Sequence, residues 1–228
     1  MPTKQAHTAA GTSVHDAIRA DILRGVHAPG APLRLAALAR QFDVSMWVIR
    51  EALVRLSEQH LAVRSTNQGF RVVSISKEDL LDLTEVRVMI EGRALVDSIQ
   101  RGNIDWEASV VSAHHVLEHA EETREGQPGS TVEWSLAHER FHDTLIAACG
   151  SPRLATIARN LRASAEVYLQ LSADATSTTH ERDPRSEHHQ LMELAITRRS
   201  DDARSAIENH IRLTTELVLR APIPAAGR

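Results

Sequence analysis

The sequence predicts a mainly α-helical fold in two parts, an N-terminal winged helix-turn-helix and a C-terminal antiparallel all-α bundle. Three observations predict it. Two short amphipathic stretches are joined by a tight turn at Asp43-Val44-Ser45, two alternating apolar runs flank Asn67-Gln68-Gly69, and helical periodicity continues without a strand pattern beyond Ser76.

Taken in order, Val14, Ala17, Ile18, Ile22 and Leu23 mark one face of a helix from Thr12 to Leu23, which Gly25 and Pro29-Gly30 end. Leu33, Leu35, Leu38, Ala39 and Phe42 form a second helix. Ser45 is placed to cap a third that runs through Ser57. Two helices across so short a turn read as helix-turn-helix. The runs LAVRST and FRVVSI alternate with period two, and Gly69 can take the positive φ of a hairpin turn, which makes a wing. Ser76 and Asp79 fit a capping box that opens a new helix. Helical stretches follow at about 77–100, 104–125, 131–149, 152–172, 184–198 and 201–220. Gly150-Ser151-Pro152 supplies a helix stop, an N-cap and an N1 proline, while Asp201 and Asp202 sit at a positive helix end. GQPGS at 126–130 reads as a loop. The expected organisation is a DNA-binding domain at 1–76, an all-helical metal- and effector-binding domain at 77–220, and a tail at 221–228.

Composition narrows the function classes. The chain has 228 residues, 42% of them apolar, which is enough for a real core. No run reaches the roughly 18 apolar residues of a membrane span, and the start lacks a signal-peptide core, so a cytoplasmic protein with no membrane partner is expected. The single cysteine, Cys149, lies in the apolar run LIAACG and reads as a buried structural thiol. The net charge of -4 is unevenly divided. Residues 1–76 carry nine basic against five acidic side chains, a net +4, and the remainder carries -8. Only the first part suits a phosphate backbone.

In a helix-turn-helix the second helix enters the major groove of double-stranded DNA. Ile49, Ala52, Leu53 and Leu56 then form its inward face, and Arg50 and Arg55 point outward. Arg34, at the start of helix two, and Arg71, on the wing, are candidates for phosphate contacts. The stretches LARQFDVS, VIREALVRL and NQGFRV resemble the GntR regulators over the whole first domain. That resemblance implies a homodimeric transcription regulator on a palindromic operator. It departs from the family where Arg-Thr-Pro usually follows the turn serine. Ser45 is here followed by Met46, Trp47 and Val48, so Ser45, Met46 and Trp47 join the candidate DNA-binding residues.

Nine of the thirteen histidines lie beyond residue 100. His138-Glu139-Arg140-Phe141-His142 matches H-E-x-x-H, which by itself suggests a zinc hydrolase with Glu139 as base and a distant third ligand such as Glu166. The extended pattern fails, since Leu145 and Ala148 stand where glycine and a third histidine belong. A bundle-core site offers another reading. His138, His142, His188 and His210 all share faces with apolar residues, on three different helices.

EVRVMIEGRAL, ERFHDTLIAACGSPRL and EHHQLMELAITRRSDDARSAIENHI resemble the FCD ligand-sensing domain of the FadR-type GntR subgroup. The resemblance implies a divalent metal held by one aspartate and three histidines. The histidines fall on His142, His188 and His210, and the aspartate position is His138. Four imidazoles favour zinc, nickel or cobalt over manganese. Arg87 matches a pocket-facing family arginine, which implies a partner for the carboxylate of a small organic acid effector. Its other reading is an intrahelical pair with Glu91. The expected function is therefore a transcription regulator, not an enzyme, whose operator affinity is set by an organic acid bound at or near the metal. A metal-responsive regulator is the alternative.

Overall fold

The computed structural model describes residues 4–65, 69–123, 131–176 and 182–220. Its elements run α1 (Lys4–Leu23), β1 (Pro32–Leu33), α2 (Leu35–Gln41), α3 (Met46–Glu58), β2 (Ala62–Ser65), β3 (Gly69–Val72), α4 (Lys77–Arg101), α5 (Ile104–Thr123), α6 (Val132–Leu145), α7 (Pro152–Thr176), α8 (Pro184–Ile196) and α9 (Ser200–Arg220). The segment GQPGS, the pair Asn67-Gln68 and the tail at 221–228 lie outside the described residues. Two compact units emerge. One holds the chain through Lys77 together with Ala163–Leu171, and the other holds Glu78–Arg162 and the stretch that begins at Ser172.

In the first unit α3 is the central helix. Its inward residues Ile49, Ala52, Leu53 and Leu56 are essentially unexposed, and α1 and α2 pack on it. Ser45 caps it, the side chain accepting from Val48 N at 3.5 Å, and Asp43 makes the preceding turn with φ of 51°. The sheet order is β1-β3-β2, all antiparallel, with Leu33 opposite Phe70 and Arg64 also opposite Phe70 on the other side. Gly69 opens β3 at φ of 78°, which a residue with a Cβ adopts only with strain. Leu33 was expected in helix two and lies in β1 instead. It is buried at 2% exposure, so its burial requirement is met by pairing with β3, and α2 starts only at Leu35. The first helix begins upstream of Thr12, at Lys4, because no proline interrupts the sequence there.

The second unit contains only helices among its described residues. Its core is built from one face of each of five helices: Leu95 and Ile99 of α4, Val110 and Leu117 of α5, Phe141 and Leu145 of α6, Leu191 and Ala195 of α8, and Ala203, Ile207 and Ile211 of α9. The three- and four-residue spacing is that of amphipathic helices. A second cluster joins Ala94 to Ile146, Cys149, Ala155 and Ala158 of the α6–α7 region. Cys149 is buried, its Sγ lying 3.4 Å from the Ser151 carbonyl. The α6 helix stops at Leu145, short of residue 149, because the chain already turns ahead of Gly150, whose φ is 73°. Cross-helix bonds from two side chains fix the α6 and α8 ends. Trp106 Nε1 donates to the Thr144 carbonyl at 2.9 Å, and Arg198 donates to the Ile99 carbonyl at 2.8 Å and to Glu107.

Candidate metal centre and nucleic-acid interface

Four histidines converge inside the second unit. His138 and His142 stand one turn apart on α6, His188 lies on α8 and His210 on α9. Each follows from the apolar face of its helix: Phe141 and Leu145 beside the first pair, Leu191 after His188, Ile207 and Ile211 around His210. One ring nitrogen from each lies within 4.8 Å of the others. Ring centroids are 4.5 Å apart for His138 and His142, 5.1 Å for His138 and His188, and 5.0 Å for His188 and His210. His138 Nε2 and His142 Nε2 approach to 3.2 Å. For comparison, four nitrogens at about 2.0–2.1 Å from a tetrahedral zinc sit roughly 3.4 Å from one another. Trp134 stacks on His138 at 4.7 Å and closes one side.

Carboxylates stand behind two of these rings. Glu121 Oε1 of α5 lies 3.1 Å from His188 Nδ1, and Glu187 Oε2 of α8 lies 2.7 Å from His210 Nδ1. An ionised carboxylate only accepts, so each Nδ1 carries the proton and each Nε2 lone pair is left for the centre. His188 Nε2 is buried with no hydrogen-bond partner among the described residues. A buried nitrogen of that kind costs free energy unless something binds it. The donor set thus fits a divalent cation. Arg182 steadies the outer shell, donating to both oxygens of Glu187 at 2.7 and 2.6 Å.

Electrostatics keep the rings ready. Burial pushes His138 and His142 well below the ordinary imidazole range, and the neighbouring histidines and Arg162 add to the effect. Burial also lowers His210, to about 4, against the opposing effect of its hydrogen bond to Glu187. Burial would raise Glu187, but its hydrogen bonds to Arg182 and His210 win and bring it to about 2. Neutral imidazoles are the form that ligates metals.

A buried ionic network occupies the same unit. Arg87 Nε meets Glu91 Oε1 at 2.7 Å, Arg162 Nε meets Glu91 Oε2 at 3.1 Å, and Arg162 Nη1 meets Asp143 Oδ1 at 2.6 Å. Arg87 therefore makes its intrahelical pair. Glu139 does not join the histidines. It is exposed and lines an open cavity of about 750 Å³ with Leu136, Arg140 and Arg159. Glu166 belongs to the first unit, where it pairs with Arg19, and it supplies no third ligand. Both observations remove the general base and the extra ligand that a zinc hydrolase would need. Glu121, Glu187, Arg182 and Arg162 were missed by sequence reasoning. They pair across helices, and no spacing along the chain marks such pairs.

In the first unit Arg34, Arg50 and Arg55 are exposed, as is the capping Ser45. Met46 and Trp47 project from the first turn of α3 at 58% and 62% exposure. Arg71 is half-buried, its Nη1 donating to the Gly30 carbonyl at 2.9 Å. Arg64, exposed on β2, was also missed; Val63 beside it is exposed as well, so burial along β2 does not alternate and gave no signal for it.

An outward row of arginines on a capped helix, beside a three-stranded wing, followed by an all-helical unit, defines a DNA-binding transcription regulator. Residues 10–72 match the bacterial regulatory proteins of the gntR family, and residues 82–213 match the FCD domain. Two relatives align over nearly the whole chain. The HTH-type transcriptional regulator BphR of Paraburkholderia xenovorans is 32% identical over 88% of this chain and 82% of its own length. The HTH-type transcriptional repressor GlaR of Escherichia coli is 28% identical over 90% and 93%. In fold, the chain superposes on E. coli McbR/YncC with a TM-score of 0.75 at 18% identity, covering 92% of this chain and 97% of that one. A GntR transcriptional regulator from Rhodococcus sp. RHA1 gives 0.70 at 21% identity, covering 93% and 99%. The chain belongs to the GntR family of bacterial transcription regulators and carries an FCD domain; it is a regulator, not an enzyme.

Proposed function

We propose that this chain is a homodimeric regulator whose affinity for a palindromic operator is set by a small organic acid, bound at or near a divalent metal held by His138, His142, His188 and His210. The observation that carries the proposal is the convergence of four imidazoles, two of them backed by carboxylates, around a buried nitrogen that meets no partner among the described residues. When bound, the metal would supply positive charge, which four neutral ligands leave uncompensated and which favours an anion. Zinc or nickel suits the all-nitrogen set. Residues 1–76 serve as the DNA-binding domain, with Arg34, Ser45, Met46, Trp47, Arg50, Arg55 and Arg71 at the duplex, residues 77–220 as the sensor, and 221–228 as a tail. The protein works in the cytoplasm, where its DNA is. Effector binding shifts the balance between DNA-competent and DNA-incompetent forms by its different affinity for each.

A second reading has its own observation. Four protein ligands complete a tetrahedron, the closed geometry of structural zinc sites, and in that case the ion itself is the signal. Elemental analysis of the purified protein, followed by separate titrations of metal and organic acids into a DNA-binding assay, separates the two. Release from DNA by acid only, with metal bound throughout, supports the first. Switching by metal with no acid supports the second, and metal-free protein with full regulation overturns both.

A further inference from the structure

The buried centre uses four of the nine histidines beyond residue 100, and two of the others meet at the rim of the same unit. His114 of α5 packs edge-on against His189 of α8, with ring centroids 5.4 Å apart. Residues four and seven apart share one face of a helix, so His114, Glu118 and Glu121 stand in a row along α5. Both ends of that row reach α8: His114 at His189, and Glu121 at His188 Nδ1, 3.1 Å away. The two helices are antiparallel, since Glu107 bonds Arg198 just past α8 while Glu121 bonds His188. Glu118, half-buried between the two ends, therefore falls level with His189.

None of these three side chains hydrogen-bonds or ion-pairs with another described residue. Glu121 and Glu187, by contrast, are already committed to rings of the buried centre. His114 is held inside the unit at 6% exposure, whereas His189 is exposed, so one ligand is fixed and the outer ones can swing. Burial also lowers His114 from its ordinary value, against the pull of Glu118, which favours the neutral ring that ligates. Among the described residues only the four core histidines already converge within 4.8 Å, and the rim trio closes on an ion by rotation of its two outer side chains.

We infer that His114, Glu118 and His189 form a second divalent-cation site, open to solvent and separate from the four-histidine centre. Two imidazoles and a carboxylate suit zinc or copper(II), with water in the remaining positions. Successive residues of a helix lie about 100° apart, so α8 presents His188 to the core and His189 to the rim. The ion ties α5 to α8. With one ligand fewer and two that must be ordered, this site is the weaker of the two. It shares no ligand with the buried centre and does not depend on that reading.

The test titrates zinc into the full-length, untagged, metal-stripped chain by calorimetry, for the unaltered protein, His189→Ala, Glu118→Gln and His115→Ala. The unaltered protein should show a tight class and a weaker class of one zinc each. The weaker class should lose at least about tenfold in affinity in both His189→Ala and Glu118→Gln, since even an outer-shell loss costs that much, while the tight class stays unchanged. Both replaced side chains face solvent at least in part, and either variant alone carries the comparison. His115→Ala, which removes a different exposed histidine of α5, should leave both classes intact. The inference is overturned if no second class appears up to millimolar zinc, if it keeps its affinity in His189→Ala, or if it is lost in His115→Ala instead. Loss of only the tight class from the unaltered protein would overturn the four-histidine reading and leave this one standing.

Discussion

Trp47 leaves 62% of its surface in solvent at the first turn of α3, beside Met46 at 58%. A large apolar side chain held out on a helix that enters the major groove has an obvious partner in the C5-methyl of thymine, the one apolar feature of base edges there. In a GntR protein the usual residues after the turn serine would make polar contacts, so on the proposed docking this pair would change what is read. Trp47→Ala should weaken binding to an operator selected from random DNA by about 1 kcal/mol, the low end of a single base-pair mismatch. Replacing the operator thymines one at a time with deoxyuridine, which lacks the methyl, should weaken the unaltered protein at one or two positions and leave Trp47→Ala indifferent there. Fluorescence anisotropy measures both. Equal sensitivity of the two proteins to every substitution would show that the indole reads no methyl group.

At the level of elements, Glu121 of α5 matters because it fixes a ring on α8. Glu121→Gln keeps the shape but can present an N–H where His188 Nδ1–H needs an acceptor, so the tautomer is no longer enforced. Metal affinity should fall roughly 10- to 100-fold by competition with a chromophoric chelator, as outer-shell losses do. The same element logic governs acid stability. Burial opposes ionisation of Glu91, but Arg87 and Arg162 outweigh it and hold the carboxyl below its ordinary value. Its folded pKa is therefore depressed. The stabilisation it gives is complete above the unfolded value near 4.5 and is lost as pH falls through the lower folded one. Glu91→Gln should be less stable at pH 7 by about 3–5 kcal/mol, since two buried guanidiniums lose their shared partner. Urea midpoints from pH 3 to 7 should show a shallower acid limb for the variant, and parallel curves would contradict the assignment.

These elements also show what the sequence disclosed. The inward face of α3 and the inward histidines were legible because both repeat with the period of a helix, and periodicity records which side faces the core. Leu33 was misplaced for the same reason: one buried leucine satisfies a helix or a strand equally well. The pairings of Glu121 with His188 and of Arg162 with Glu91 and Asp143 were not legible, because they join helices through the packing of the bundle and leave no spacing in the chain. Arg87 showed the limit from the other side. Its i+4 pairing was visible, but not that Glu91 is shared with Arg162.

For the whole molecule, the decisive asymmetry is charge: net +4 over residues 1–76 and -8 over the rest. A net -4 would oppose DNA binding if the total mattered, but at physiological salt charges act only over about 8 Å. Affinity then depends on the local set of phosphate contacts, and log K should fall linearly with log salt at about 0.9 per phosphate neutralised. Arg64→Gln, on the exposed β2 strand of the wing, should lower that slope by about 1 and weaken all duplexes alike. Arg50→Gln should instead relax discrimination between the selected operator and its single-base variants, because a groove-facing guanidinium on α3 can reach base edges. Anisotropy titrations at four salt concentrations, with operator and scrambled DNA, distinguish the two effects. If both variants changed only the slope, Arg50 would be gripping the backbone, and base reading would fall to other exposed residues of α3 such as Met46 and Trp47.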